Sequence, residues 1–335
     1  VILVLTHPHF YVLSTGSFAN NEGVSLDFAG NYRIIVEKDE GFVVENEYLC
    51  NNHTYQRFMA EYNLHDLHNV MLGILKAIDE TCKKYNLRYF IVAGTQLGAV
   101  RHKGFIPWDD DADVCMPHSD YDQLIAHSKE WLPEGYELIC AENDKHYPQP
   151  FAKMQDARTT IIEHAHLRYL GGVYVDVFPL DGMPNNRLRQ WLHVRHYKHL
   201  CKLLYFTYRD PYRHGHGPSS WLPLLCRKLF TVEGLQKSIS RLLHKYDYDR
   251  SRYVLCFDDD FRSIVPREVY GDGKPYTFES LTLRGAADSH WLLTKMYGDY
   301  MTPPKHGTEF QHNFYYLDLE HSYKDAPASL IQDHD

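Results

Sequence analysis

The pattern of apolar and polar positions changes character twice along the chain. Up to about residue 60 it is strand-like. Short β-rich runs at 32–36 and 42–44 flank Asp39, Glu40 and Gly41, which read as a hairpin turn. From residue 61 the period lengthens. Leu64, Leu67, Met71, Ile74, Ile78, Cys82 and Tyr85 recur at steps of three or four and predict one amphipathic helix, capped by Asn63 with Asp66 in its first turn. Residues 88–93 (RYFIVA) then read as a short buried strand running into Gly94 and Thr95, followed by a helix over 96–102 and strands over 111–116 and 171–181. Beyond residue 186 helical periodicity dominates, over 187–208, 221–246 and 288–297, with the run HGHGP as a break. The last dozen residues are polar and read as loose. These shifts divide the chain into a β-rich extension (1–60), an alternating α/β core (61–185) and a mostly helical C-terminal region (186–335), with no internal repeat.

Composition narrows the field. Of 335 residues, 44% are hydrophobic and 24% charged, values that specify a folded chain rather than a disordered one. A net charge of −9 argues against a nucleic-acid binder, which needs clustered cations to neutralise phosphates, and against attachment to anionic lipid by charge alone. The cysteines number seven, an odd count, without a C-x-x-C pair, which speaks against a zinc finger or disulfide framework and for reduced thiols in the cytoplasm. The opening run VILVLTHPHFYVL is interrupted by Pro8, and no stretch reaches the roughly 20 apolar residues of a membrane span. Localisation is therefore expected to be cytoplasmic. Peripheral contact at the inner membrane face rests on the basic, aromatic helix over 187–208, for which packing on the core is the favoured reading.

The chemistry concentrates in residues 93–116, AGTQLGAVRHKGFIPWDDDADVCM. Gly94 lets the backbone approach a ligand, and Thr95 adds a hydroxyl where a helix N-terminus offers free N–H groups to phosphate. Arg101 can add a bidentate donor. Asp109, Asp110, Asp111 and Asp113 follow. On a strand, Asp111 and Asp113 share a face while Ala112, Val114 and Met116 face a core. Two adjacent carboxylates repel unless a cation lies between them, and hard oxygen ligands suit Mg²⁺ or Mn²⁺. Asp176, in the apolar strand GGVYVDVFPLD, is costly to bury unless it shares that metal; the alternative is a structural Asp bonded to backbone. Lys153 reads equally as a phosphate contact or a surface side chain. His193, His196 and His199 read as a polar helix face, Asp181 as structural, and the DDD at 258–260 as a solvated turn. The acids around Cys115 disfavour its thiolate, so it is not a nucleophile.

The run GTQLGAVRHKGFIPWDDDADV resembles the signature of the LicD family, which includes bacterial phosphocholine transferases of cell-surface glycans and fukutin-type ribitol-phosphate transferases. The CKKYN at 82–86, VYVDVFPLDG and MYGDYMTPP are similar to this family as well, so the likeness extends over about residues 64–304. The resemblance implies a nucleotidyltransferase-type fold, a small mixed sheet with helices packed on it. It also implies a glycine-hydroxyl turn (Gly94, Thr95) ahead of two metal-binding acids (Asp111, Asp113) and a third acid (Asp176) from a neighbouring strand. The implied reaction is Mg²⁺-dependent transfer of a phospho-linked group, phosphocholine first, from a CDP-linked donor to a hydroxyl of a glycan or lipid-linked glycan, releasing CMP.

Two other readings fit parts of the chain. A metal-dependent glycosyltransferase also places D-x-D after a strand, but normally behind a nucleotide-binding βα unit that has no counterpart here. An inactive glycan-binding module would keep the fold but not the activity, and the intact acids argue against it.

Overall fold

The computed structural model describes residues 62–164, 169–213, 216–256, 263–304, 314–327 and 330, and before residue 62 the backbone of six strands. In that N-terminal part, β1 (Ile2–Val4) pairs with β2 (Tyr11–Leu13). Strands β3 (Glu22–Leu26), β4 (Asn31–Lys38), β5 (Gly41–Asn51) and β6 (Thr54–Arg57) form an antiparallel four-stranded sheet in chain order. Lys38 pairs with Gly41, so β4 and β5 form the expected hairpin; Asp39 and Glu40 lie outside the described residues.

The helix α1 (Leu64–Tyr85) forms where the apolar stripe predicts it. The Asn63 side chain accepts from the His65 N–H, and Asn86 ends the helix in the left-handed conformation (φ 56°). Its buried residues, among them Leu67, Met71, Ile74 and Ile78, pack on one face of the central sheet with Ala112, Val114, Met116, Val175 and Val177.

The rest of the chain alternates between sheet and helix: β7 (Phe90–Ile91), α2 (Ala93–Arg101), β8 (Asp113–Pro117), α3 (His118–Trp131), β9 (Tyr136–Ile139), β10 (Ala152–Ile162), β11 (Gly171–Met183), α4 (Arg187–Tyr208), α5 (Trp221–Leu229), α6 (Val232–Leu243), β12 (Tyr253–Cys256), β13 (Ile264–Pro266), β14 (Lys274–Phe278), β15 (Leu281–Gly285), α7 (Ser289–Tyr297) and β16 (Tyr316–Asp318). Strands β7 to β16 form one ten-stranded mixed sheet. Its centre is the parallel pair β8–β11. Strand β11 meets β10 along its first half and β12 along its last residues, both antiparallel.

Three expectations change. The strand predicted over 88–93 is only Phe90–Ile91, and α2 begins at Ala93, so Gly94 and Thr95 belong to its first turn. The helix predicted over 221–246 is two helices, because Thr231 accepts from the Gly234 N–H and starts α6 afresh. The region after residue 186 is less helical than its periodicity implies. It also supplies β12 to β16, which join the central sheet; strands of three to five residues are too short to show a period. The DDD at 258–260 and most of the last dozen residues lie outside the described residues.

Candidate active site

The ladder between β8 and β11 places Asp113 beside Asp176, and the ladder between β11 and β10 places Asp176 beside Lys153. Neighbouring strands are ~4.8 Å apart, so three ionisable side chains line up across three strands on the face opposite α1. The pairing runs on past the end of β8, since the Asp176 N–H donates to the Ala112 carbonyl at 3.0 Å. Asp111 stands one residue before that, half-buried, outside the regular strand.

The β7–α2 turn sets this geometry. Ala93 has a φ of 46°, sparsely populated for a residue with a Cβ, and the chain turns there from β7 into the helix. Thr95 is buried, and its hydroxyl accepts the Asp113 N–H at 2.8 Å, which makes it a positioning residue for Asp113. A Cβ on Gly94 would stand 2.6 Å from Asp109 Oδ2, so this glycine lets the Asp109 carboxylate lie against the first turn of α2. Asp110 is buried and accepts from the Tyr62 hydroxyl at 2.9 Å. Arg101, at the far end of α2, donates to the Tyr300 carbonyl at 2.8 Å and so ties the helix to the segment after α7. Burial lowers its pKa, and Asp109 opposes that shift.

Lys153 is buried, with its ammonium 2.8 Å from Glu163 Oε2, 3.6 Å from Asp176 Oδ1 and 3.3 Å from the centre of the Tyr174 ring. Burial alone would lower its pKa; Asp176 and Glu163 outweigh burial and raise it, so the ammonium stays charged. Burial likewise raises the pKa of Glu163, but Lys153 overrides it and brings the carboxyl to about 2. The Tyr174 hydroxyl is held well above its ordinary pKa by burial and by the fields of Glu163, Asp176 and Asp111, which places Asp111 within electrostatic reach of the same spot. Beside Lys153 opens a small cavity of about 30 Å³ lined by Tyr147, Tyr169, Tyr174 and Glu163.

Asp111, Asp113 and Asp176 offer only hard oxygen donors, and the adjacent ladder positions bring two of them side by side, a donor set that fits Mg²⁺ or Mn²⁺. Glu163 and the tyrosine pocket are the members that sequence reasoning missed. Glu163, just past the end of β10, reaches Lys153, ten residues earlier, across the irregularity in that strand between Asp156 and Ile161, and no spacing rule announces that. His193 is buried on α4 while His196 and His199 are exposed, so the three do not form one polar face.

Residues 86–207 match the family described as LicD/FKTN/FKRP, nucleotidyltransferase domain. Over 262 residues the chain is 28% identical to the lipopolysaccharide cholinephosphotransferase LicD of Haemophilus influenzae, covering 76% of this chain and 97% of that protein. It is also 42% identical over 79 residues to an uncharacterised protein of Rickettsia typhi, covering 21% of this chain and 25% of that one. A similar protein of Rickettsia prowazekii is 42% identical over 65 residues, 19% of this chain and 23% of that one.

Proposed function

Because residues 86–207 match the LicD-family nucleotidyltransferase domain and most of the chain aligns with a lipopolysaccharide cholinephosphotransferase, we propose that it moves a substituted phosphate, phosphocholine first, from a CDP-linked donor to a hydroxyl of a cell-surface glycan. The observation that carries the reading is the lateral row Asp113, Asp176, Lys153 with Asp111 beside it, a cluster of opposite charges on one sheet face.

Asp111, Asp113 and Asp176 would hold Mg²⁺, which supplies charge neutralisation on the donor diphosphate. The acceptor hydroxyl oxygen attacks the phosphorus that carries choline. The bond from that phosphorus to the bridging oxygen breaks, and CMP leaves with that oxygen. The hydroxyl proton passes to a carboxylate of the row, and Asp176, at its centre, is the assignment. Lys153 keeps a positive charge beside the transferring phosphate, and Thr95 fixes the backbone of Asp113.

On the acceptor side, α4 and α5 favour contact with an anionic membrane surface. Neither helix contains an acidic residue, although the chain as a whole is acidic. Leu188, Trp191, Leu192, Trp221, Leu224 and Leu229 are 43–65% exposed on these helices, interspersed with Arg187, Arg189, Arg195 and Arg227. Among the described residues, no helix is long and apolar enough to cross a membrane.

Thermal unfolding with Mg²⁺ against CDP-choline, CDP-ribitol, CDP-glycerol, CMP and UDP-sugars tests the donor. A ligand at 100 times its Kd adds about 2.7 kcal/mol to the folded state. Stabilisation by CDP-choline that disappears in Asp113→Ala supports the proposal. Stabilisation by a UDP-sugar alone refutes it in favour of glycosyl transfer, and stabilisation by CDP-ribitol or CDP-glycerol alone keeps the reaction class and changes the cargo.

A further inference from the structure

The same two parallel strands that carry the acid row carry a second cluster at their other end. Asp181 lies five residues after Asp176 on β11, about 17 Å along the strand, and the odd interval puts it on the opposite face of the sheet. His118 follows β8 immediately, as the first residue of α3. Asp181 is fully buried and accepts a hydrogen bond from Nδ1 of His118. That bond fixes the tautomer, leaving Nε2 of His118 as the lone-pair nitrogen, 3.5 Å from Oδ1 of Asp122 one helical turn on.

The third side chain comes from another helix. His244 caps the C-terminus of α6, and its Nδ1 donates to the Ser240 carbonyl at 2.7 Å. Its Nε2 lies 3.0 Å from the other oxygen of Asp122. The two imidazole rings are 3.8 Å apart between centres. One ligand atom from each of His118, Asp122 and His244 therefore fits within a sphere of mutual distances no greater than 4.8 Å. Each histidine already has its outer nitrogen occupied by an oxygen acceptor, one carboxylate and one carbonyl. That is how metal-binding histidines are oriented. The C-terminal end of α6 also favours a cation through its exposed carbonyls.

We propose that His118 Nε2, Asp122 and His244 Nε2 form a binding site for a first-row divalent cation, zinc above all, with Asp181 orienting His118 and a solvent-facing fourth position. Two imidazoles and one carboxylate select zinc, cobalt or nickel and discriminate against magnesium, which keeps water and oxygen ligands. The cation links the start of α3 to the end of α6 and so clips the helical layer to the sheet. Without metal, the same atoms form a protonated pair in which His244 donates to Asp122. This site does not depend on the reaction assigned to the acid row.

The test uses the full chain, stripped with a chelator, in four forms: wild type, Asp113→Asn, His244→Ala and Asp181→Asn. Each is titrated with Zn²⁺ in the presence of excess Mg²⁺, and with Co²⁺ followed by its visible absorption. One zinc per chain in both wild type and Asp113→Asn, weakened at least about 100-fold in His244→Ala and about 10- to 100-fold in Asp181→Asn, establishes the site. His244→Ala also removes the hydrogen bonds to Asp122 and Ser240, so its metal-free melt is recorded first and the zinc titrations are run well below it. Zinc held equally well by His244→Ala, zinc lost in Asp113→Asn, or no zinc retained at micromolar concentration overturns the proposal.

Discussion

One pair of parallel strands, β8 and β11, ends in two different chemistries. At one end Asp113 and Asp176 face Lys153, two carboxylates beside a buried ammonium. At the other end Asp181 meets His118, and two imidazoles converge on Asp122. The acid row is set laterally, by ladder register, so the strands alone bring its members together. The histidine cluster is set by helix ends, and it needs α3 and α6 to be packed correctly first. A site written in strand register is cheap to specify and rigid. A site written in helix ends reports on the tertiary packing around it.

The comparison breaks most sharply at Lys153. Lys153→Met leaves the partners Glu163 and Asp176 without their buried cation and is expected to cost about 3–5 kcal/mol of stability, read by denaturant unfolding, with Mg²⁺ restoring part of it. Asp113→Asn keeps the ladder and is expected to lower transfer by about 10²–10³-fold, roughly 2.7–4 kcal/mol in the barrier, with an unchanged melting temperature in the absence of metal. Retention of wild-type turnover would remove the acid row from the mechanism. Gly98→Ala tests the frame rather than the chemistry. Its Cβ would meet the Gly104 carbonyl oxygen at 2.4 Å, which is backbone and cannot swing aside, so a loss of about 1–3 kcal/mol is expected. At Gly94 the obstructing atom is the end of the Asp109 side chain, and Gly94→Ala should therefore destabilise less.

The two ends also part in their pH dependence. Glu163 is held near 2, below its ordinary value of 4.5, so its contribution to stability is present above about pH 4.5 and is lost as the pH falls towards 2. Lys153→Met should weaken that acid limb. His244 is raised from 6.5 to about 9, chiefly by its hydrogen bond to Asp122 against the effect of burial, with the Ser240 carbonyl and Asp181 adding to it and His118 packed alongside. Its contribution is present below about pH 6.5 and is lost as the pH rises through 9. Asp122→Asn should flatten this alkaline limb in the metal-free protein, and bound zinc, which needs the unprotonated ring, should become more stabilising across the same window. An alkaline limb unchanged by Asp122→Asn would separate His244 from this carboxylate.

The facing of Asp113 was legible in the sequence because period two on a strand is a strong rule, although the strand expected from 111 begins at Asp113 and leaves Asp111 before it, and the placing of Asp176 and Lys153 beside Asp113 comes from ladder register that no spacing announces. Ala112, Val114 and Met116 do enter the core under α1, while Asp113 faces the other way. The stripe of α1 was legible for the same reason at its own period. Glu163 was not, since it meets Lys153 only through the irregularity in β10. The histidine cluster was not either. Asp181 reads as structural, at a turn with Gly182, whereas both lie inside β11, and nothing local links His118 to His244, 126 positions later. The strands β12 to β16 escaped because three to five residues carry no period, and their partners lie far away in sequence.

Strand β11 runs unbroken from Gly171 to Met183, and its length has a genetic consequence. Loss or gain of one codon between 177 and 180 would carry Asp181 through the sheet while leaving Asp176 where it is, and would turn the intervening apolar side chains out of their cores. Removal of two codons would restore the facing but shorten the interval. Coding-sequence changes in this stretch are thus expected to be tolerated only as conservative apolar substitutions and rejected as insertions or deletions, whereas the loop after Trp131, between α3 and β9, should accept a change in length more readily.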